Sequence, residues 1–206
     1  EGLQHQDGHS HILAQTIPSC KAYDPAYGYE MAGVVQHGIK EMFEDNQNVF
    51  YYLTIENENY EQPAMPEGKD GKKVEEGIVK GMYLLDSVET KGRKKTPRVQ
   101  LMGSGAILNE VRAAAELLKE DFGVASDIWS VTRAYIPKTY LTLGTDGFGR
   151  SDTREKLRSH FEVDRYYVAV TALSALARDG EVKNDVVLEA MRKYGIDRNK
   201  TNPVLS

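Results

Sequence analysis

The residues with the most obvious chemical reach stand at the start of the sequence, where His5, His9 and His11 place three of the five histidines within Glu1-Gly2-Leu3-Gln4-His5-Gln6-Asp7-Gly8-His9-Ser10-His11. Imidazole titrates near neutrality, so such a cluster points to proton transfer, anion contact or metal binding before packing. The spacing suits a metal only if the backbone cooperates. On a helix His5 and His9 would share a face, and on a strand His9 and His11 would. Gly8 and its polar neighbours argue for irregular loop, and no Cys or Glu is placed to complete a ligand set, so no metal site is expected. Two readings remain. In one, Asp7 orients an imidazole in a structural loop; in the other, the loop offers one histidine to an anionic substrate. The sequence opens inside this loop, with no cap or strand ahead of it, so the working site is expected to be only partly present.

Other reactive candidates carry less. Gly103-Ser104-Gly105 at a strand-to-helix turn is half of a phosphate-binding fingerprint, without the third glycine or a ribose-binding acid. It reads as a tight turn that lets helix and sheet approach. Asp146 and Arg150 would form an ion pair across a glycine-rich turn, and Lys91-Gly92-Arg93-Lys94-Lys95 a solvated basic turn. Cys20, the one cysteine, excludes an internal disulfide, fits a reducing compartment and reads as a buried thiol. The 26 basic residues are outnumbered by 31 acids, which leaves no electrostatic case for nucleic acid. No apolar run approaches a membrane span and no signal peptide precedes Glu1, so a cytoplasmic, soluble protein without a membrane partner is expected.

These side chains must be positioned by an α/β scaffold. Residues 13–23 read as a short strand closed by Asp24-Pro25, with Asp24 as the N-cap of a helix over 26–43. In that helix Met31, Val34, Val35, Ile39 and Met42 recur at helical spacing. A β-branched and aromatic run over 49–55 gives the next strand. Residues 57–73, rich in Pro, Gly and amide side chains, read as a linker. After a short element around 78–88, a strand at 99–103, a helix over Ile107–Phe122 capped by Gly123 and a strand at 125–132 make a second strand-helix-strand unit. Short connections of this kind imply a parallel sheet with right-handed crossover. A strand at 140–144 and helices over 153–161, 165–178 and 184–194 complete the pattern.

Several strings together identify a resemblance. Gln4-His5-Gln6-Asp7-Gly8-His9, Tyr23-Asp24-Pro25-Ala26-Tyr27, Asn57-Glu58-Asn59-Tyr60, Pro63-Ala64-Met65-Pro66-Glu67-Gly68 and Leu143-Gly144-Thr145-Asp146-Gly147-Phe148-Gly149-Arg150-Ser151-Asp152 closely resemble the homodimeric, bacterial-type pyruvate dehydrogenases. These are the thiamine-diphosphate-dependent decarboxylating components of the pyruvate dehydrogenase complex. The likeness covers nearly the whole chain. It implies a transketolase-like α/β fold in which residues 1–60 end a pyrimidine-binding domain, 61–74 link, and 75–206 form a C-terminal domain with a mostly parallel sheet. It also implies oxidative decarboxylation of pyruvate and reductive acetylation of a lipoyl group on the dihydrolipoyl acetyltransferase core, with a second copy of the chain as partner.

On the same resemblance His5 is the catalytic residue, pairing with the pyruvate carboxylate or moving a proton to a developing oxygen. Asp7, His9 and His11 hold the loop in shape. Thiamine diphosphate and magnesium belong to the full-length enzyme. The Gly-Asp-Gly diphosphate motif and the activating glutamate lie upstream in the family and are absent here, so this chain alone is expected to bind neither and to be inactive. Relatives also carry several dozen further residues near 132–134, supplying another helix and strand. Alternative readings are a catalytically incomplete structural or dimerisation module, or a dehydrogenase for a related 2-oxo acid.

Overall fold

A computed structural model of the protein describes residues 9–90, 96–133, 141–145 and 150–203. Five strands and seven α-helices are described, in the order α1 (Ser10–Gln15), β1 (Cys20–Tyr23), α2 (Gly28–Ile39), β2 (Phe50–Leu53), α3 (Gly68–Lys80), β3 (Met82–Val88), β4 (Arg98–Gly103), α4 (Ile107–Phe122), β5 (Ala125–Val131), α5 (Arg154–His160), α6 (Arg165–Arg178) and α7 (Asn184–Lys193). A π-helical turn, Lys40–Glu44, extends α2. β1 and β2 pair in parallel. β5 is the middle strand of a second sheet, parallel to β4 and antiparallel to β3. The expected α/β class and the two parallel strand-helix-strand units are present; the antiparallel β3 edge is an addition to them.

Why these elements form is clearest in α4. Leu108, Val111, Ala115 and Leu118 share one buried face, and Gly123, at φ 61°, ends the helix in the left-handed region that glycine adopts cheaply. That face meets Ala169, Ala172, Leu173 and Leu176 of α6, and Ile128 of β5, in the main core. Alanines on both helices let their backbones approach. A second core joins Tyr23 and Val34 of the first unit to Val74, Ile78 and Tyr83 of the second.

Several expectations are corrected. The strand expected over 13–23 is a helical turn followed by a strand only from Cys20, because Ala14 of α1 packs onto Cys20 and Ala22 while Ile12 and Leu13 face outward. The cap of α2 is not Asp24. The helix starts at Gly28, and Glu30 in its first turn accepts from the backbone N–H groups of Ala26 (2.6 Å) and Tyr27 (3.1 Å). Its expected apolar stripe is only partly inside: Val34 is buried, whereas Val35 and Ile39 are exposed. The stretch 61–74, expected to be linker, contains the start of α3, whose Val74 and Ile78 are four residues apart and anchor it in the second core. The element expected around 78–88 divides into the end of α3 and β3. Residues 141–145 pair with no strand among the described residues. Lys91 to Lys95, Tyr140 and Asp146 lie outside the described residues.

The two units are joined by Glu30, which is fully buried. Its Oε1 accepts from Tyr83 Oη of β3 and from Ser130 Oγ of β5, each at 2.6 Å. With the two backbone donors on Oε2, four donors fill the lone-pair positions of the carboxyl group. Tyr83 spends its proton on Glu30, so Tyr29 donates to Tyr83 at 2.5 Å. Burial, reinforced by the neighbouring Glu30, pushes the Tyr83 phenol far above the ordinary tyrosine range.

The Gly103-Ser104-Gly105 turn is shaped by close approach. A Cβ at Gly103 would meet Val111 and the Leu108 Cα at about 3 Å, and Gly105 has φ 49° beneath the Glu56 carboxyl.

Replacing Glu30 by Ala strands four donors, two of them side-chain hydroxyls in the core, and is expected to cost about 3–5 kcal/mol in urea-unfolding experiments. A loss below ~1 kcal/mol would contradict this role. Gly105→Ala combines left-handed strain with a clash against Glu56 and is expected to cost about 1–2 kcal/mol. In the Gly105→Ala, Glu56→Ala double variant the two effects should be less than additive, since removing the carboxyl relieves the clash; strict additivity would place the strain elsewhere.

Candidate functional site

The carboxyl ends of parallel strands are where α/β sheets collect ligand-facing groups. In β1 and β2 the register Tyr23↔Leu53 sets the following residues, Asp24 and Thr54, side by side. Thr54 N donates to Tyr23 O at 3.1 Å, and Asp24 N donates to Thr132 O, just beyond β5, at 2.8 Å. Strand ends from both sheets are thereby held together.

Onto this edge α1 brings His11. Its Nε2 lies 3.2 Å from Thr54 Oγ1, and its ring packs edge-on against Tyr52 at 5.3 Å and 79°. Thr54 Oγ1 donates to Asp24 Oδ1 in a short hydrogen bond. A hydroxyl has one proton to give, so Thr54 accepts from His11, whose Nε2 must carry a hydrogen. His9 stands at the N-terminus of α1, where its carbonyl accepts from Leu13 N at 2.9 Å. His5 and Asp7 lie outside the described residues.

Beside this group, Glu56 Oε1 accepts from Ala106 N at 3.0 Å, at the start of α4 and over the Gly105 turn. Desolvation of that carboxyl, with a smaller contribution from Asp24, pushes Glu56 above the ordinary carboxylate range, although the residue as a whole stays exposed. This arrangement decides the glycine-rich turn. The N–H that a phosphate would use is taken by the protein's own carboxylate. The described residues therefore do not form a diphosphate cradle there, and no group of three or more His, Cys, Asp or Glu converges as a metal site among them.

The segment after β2 is clamped by arginines of α5. Arg154 Nη2 donates to Asn57 Oδ1 at 3.1 Å, and Arg158 pairs with Glu58 and, at 3.3 Å, with Glu110. Arg165 closes on Glu110 through Nε at 2.9 Å and its backbone N–H at 3.0 Å. Burial works against the Glu110 charge, but these hydrogen bonds and the two guanidinium groups outweigh it and hold the carboxyl below the ordinary range. A cleft of about 650 Å³ lies alongside, lined by Arg154, Arg158, Arg165, Tyr166 and Tyr194. Its arginines face acids that already pair with them, so it reads as a structural seam.

Sequence reasoning placed the chemistry in the histidines and missed Asp24, Thr54 and Glu56 as their surroundings. The signal available was positional: each stands at or just past the carboxyl end of a strand expected in a parallel pair. Cys20 is buried, as expected.

The model for the pyruvate dehydrogenase E1 component middle domain matches residues 1–63, and that for the transketolase-like C-terminal domain matches residues 81–134. The pyruvate dehydrogenase E1 component of Pseudomonas aeruginosa is 44% identical over 259 residues, covering 99% of this chain and 28% of that protein. That of Escherichia coli K12 is 44% identical over 261 residues, covering 100% of this chain and 28% of the relative. The chain thus spans less than a third of the length of these relatives. Because the alignments run to 259 and 261 residues against the 206 here, the relatives carry roughly fifty positions that this chain lacks. Among solved structures, a transketolase from Leishmania mexicana superposes with a TM-score of 0.63 at 18% identity, over 90% of this chain and 30% of that one. A transketolase variant from Pichia stipitis gives 0.60 at 17%, over 86% and 28%. At such identities these structures bear on the fold alone, and the fold is transketolase-like. Over nearly its whole length the chain is similar to pyruvate dehydrogenase E1 components, with middle-domain sequence followed by transketolase-like C-terminal-domain sequence.

Proposed function

We propose that this chain supplies one wall of the active site of a pyruvate dehydrogenase (acetyl-transferring), which decarboxylates pyruvate oxidatively and acetylates the lipoyl group of a dihydrolipoyl acetyltransferase. The observation that carries this reading is the 44% identity to bacterial E1 components, sustained over 99% of the chain. In that reading His5 is the residue that faces substrate. Its imidazole pairs with the pyruvate carboxylate when protonated, or holds a proton for an oxygen that gains charge as carbon dioxide leaves.

Thiamine diphosphate with magnesium supplies the carbanion chemistry when bound. The described residues do not fit the diphosphate, so its binding groups are assigned to parts of the enzyme other than these. What the described residues do is fix the wall: Asp24 and Thr54 end the parallel strands, and α1 follows the histidine loop in sequence and docks on them.

The domain division we propose is 1–60 for the end of the pyrimidine-binding domain, 61–74 for a connection that takes in the first turns of α3, and 75–206 for the C-terminal domain. The positions that relatives carry in excess are placed near 132–134. This is supported by the C-terminal-domain match, which stops at residue 134. The working enzyme is proposed to be a cytoplasmic homodimer. Ile12, Leu13, Phe43 and Phe50 are exposed here and provide apolar surface for a larger assembly to cover. No helix among the described residues is long and apolar enough to cross a membrane.

In the enzyme carrying all its domains, His5→Ala is expected to lower turnover with pyruvate by about 100-fold or more, the scale of a lost acid-base group, while the urea midpoint stays put. Steady-state assay with an artificial electron acceptor, beside denaturation of the same variant, checks this. Unchanged kinetics would return the loop to a structural role.

A further inference from the structure

We propose that Thr54 is a positioning residue for the histidine loop, acting through His11 and itself oriented by Asp24. The inference deepens the reading just given and rests on it, since the loop matters only if His5 works on a substrate.

Three observations carry it. First, the hydrogen-bond direction along Asp24, Thr54 and His11 is determined by proton count. The Thr54 hydroxyl donates to Asp24 Oδ1, with Tyr23 O a second acceptor at 3.3 Å, so its oxygen is left to accept from His11 Nε2 at 3.2 Å. One tautomer of His11 is selected, with hydrogen on Nε2, as a second partner selects the tautomer of a working histidine. Second, the ends of this relay are built into the sheet. Asp24 and Thr54 follow paired residues of β1 and β2, and Asp24 N is tied to Thr132 O at 2.8 Å. A side chain so held moves little, which is the property a positioning group needs. Third, His11 is clamped from a second direction by the Tyr52 ring at 5.3 Å. His11 stands six residues after His5 in the sequence, so fixing it limits how far His5 can be from this strand edge.

The consequence is specific. A half-buried threonine kept for packing alone would tolerate valine, its near-isostere, because the methyl groups fill the same space. A positioning threonine would not, because valine offers His11 no acceptor and Asp24 no donor. Serine keeps both bonds and loses only a methyl.

The test has two arms. In the 206-residue chain, long-range proton-nitrogen correlation spectra read the His11 tautomer directly. Hydrogen on Nε2 is expected in the parent chain and in Thr54→Ser, and a mixture of tautomers in Thr54→Val. Hydrogen on Nδ1 in the parent, or no change in Thr54→Val, overturns the relay. In the enzyme with all its domains, Thr54→Val is expected to lower kcat by about tenfold to a hundredfold, the scale of a misplaced catalytic group, with KM for pyruvate within about twofold. Thr54→Ser should restore kcat. Adding His11→Ala to Thr54→Val should cost no more than either change alone, as expected for two parts of one device. If Thr54→Val turns over normally while His5→Ala is crippled, the positioning role falls and the proposed function stands. If His5→Ala is also normal, the functional reading has failed and the role falls with it.

Discussion

A buried carboxyl group must be surrounded by donors or it destabilises the fold around it, and Glu30 meets that demand with groups from three different elements. Two are the backbone N–H groups of Ala26 and Tyr27, just ahead of its own helix. The others are hydroxyls from β3 and β5, about 53 and 100 residues away in sequence. Neither unit can satisfy Glu30 alone. Its first-turn position fixes α2 on the first unit, and its outer oxygen fixes β3 and β5 of the second. The apolar counterpart is the small core of Tyr23, Val34, Val74, Ile78 and Tyr83, which also draws from both sides. Tyr23 adds a hydrogen bond from its hydroxyl to Val79 O at 2.9 Å.

Once the units are locked in this way, the strand ends that carry polar residues are brought to one edge. Asp24 reaches Thr132, Thr54 sits beside Asp24, and Glu56 lies over the β4–α4 turn. The edge can hold a loop against the sheet but cannot cradle a phosphate, because its helix N-terminus is already occupied by a carboxylate. This separates the two chemical hints in the sequence. His11 lies by the strand ends of the middle-domain part, while the glycine pair is a packing device in which Gly103 lets α4 close on β4.

Local periodicity made much of this legible. The limits of α4 and α6 follow from apolar spacing and, in α4, a glycine stop, and the helix buries the face that its spacing marks out. Parallel pairing followed from short strand-helix-strand connections. The misreadings share another cause. α1 and α3 carry few apolar residues on their buried sides, Ala14 in one and Val74 with Ile78 in the other, so periodicity was too faint to separate helix from strand or linker. Asp24-Pro25 resembles a helix start more strongly than Tyr27 with Glu30 does, yet Asp24 is claimed by Thr54. Contacts such as Ser130 with Glu30 and Arg158 with Glu58 span about 100 residues and leave no local trace. The family resemblance singled out the histidines, while the geometry set His11 against Thr54.

If Glu30 binds the two units into one cooperative body, their backbones must open together. Native-state hydrogen exchange on the chain measures this, by comparing amides of β1 and β2 with amides of β5 as denaturant rises. Both sets are expected to converge on one opening free energy and one denaturant dependence, and to fall together when Glu30 is replaced. Exchange of β1 and β2 through an opening that leaves β5 protected, unchanged by loss of Glu30, would contradict it.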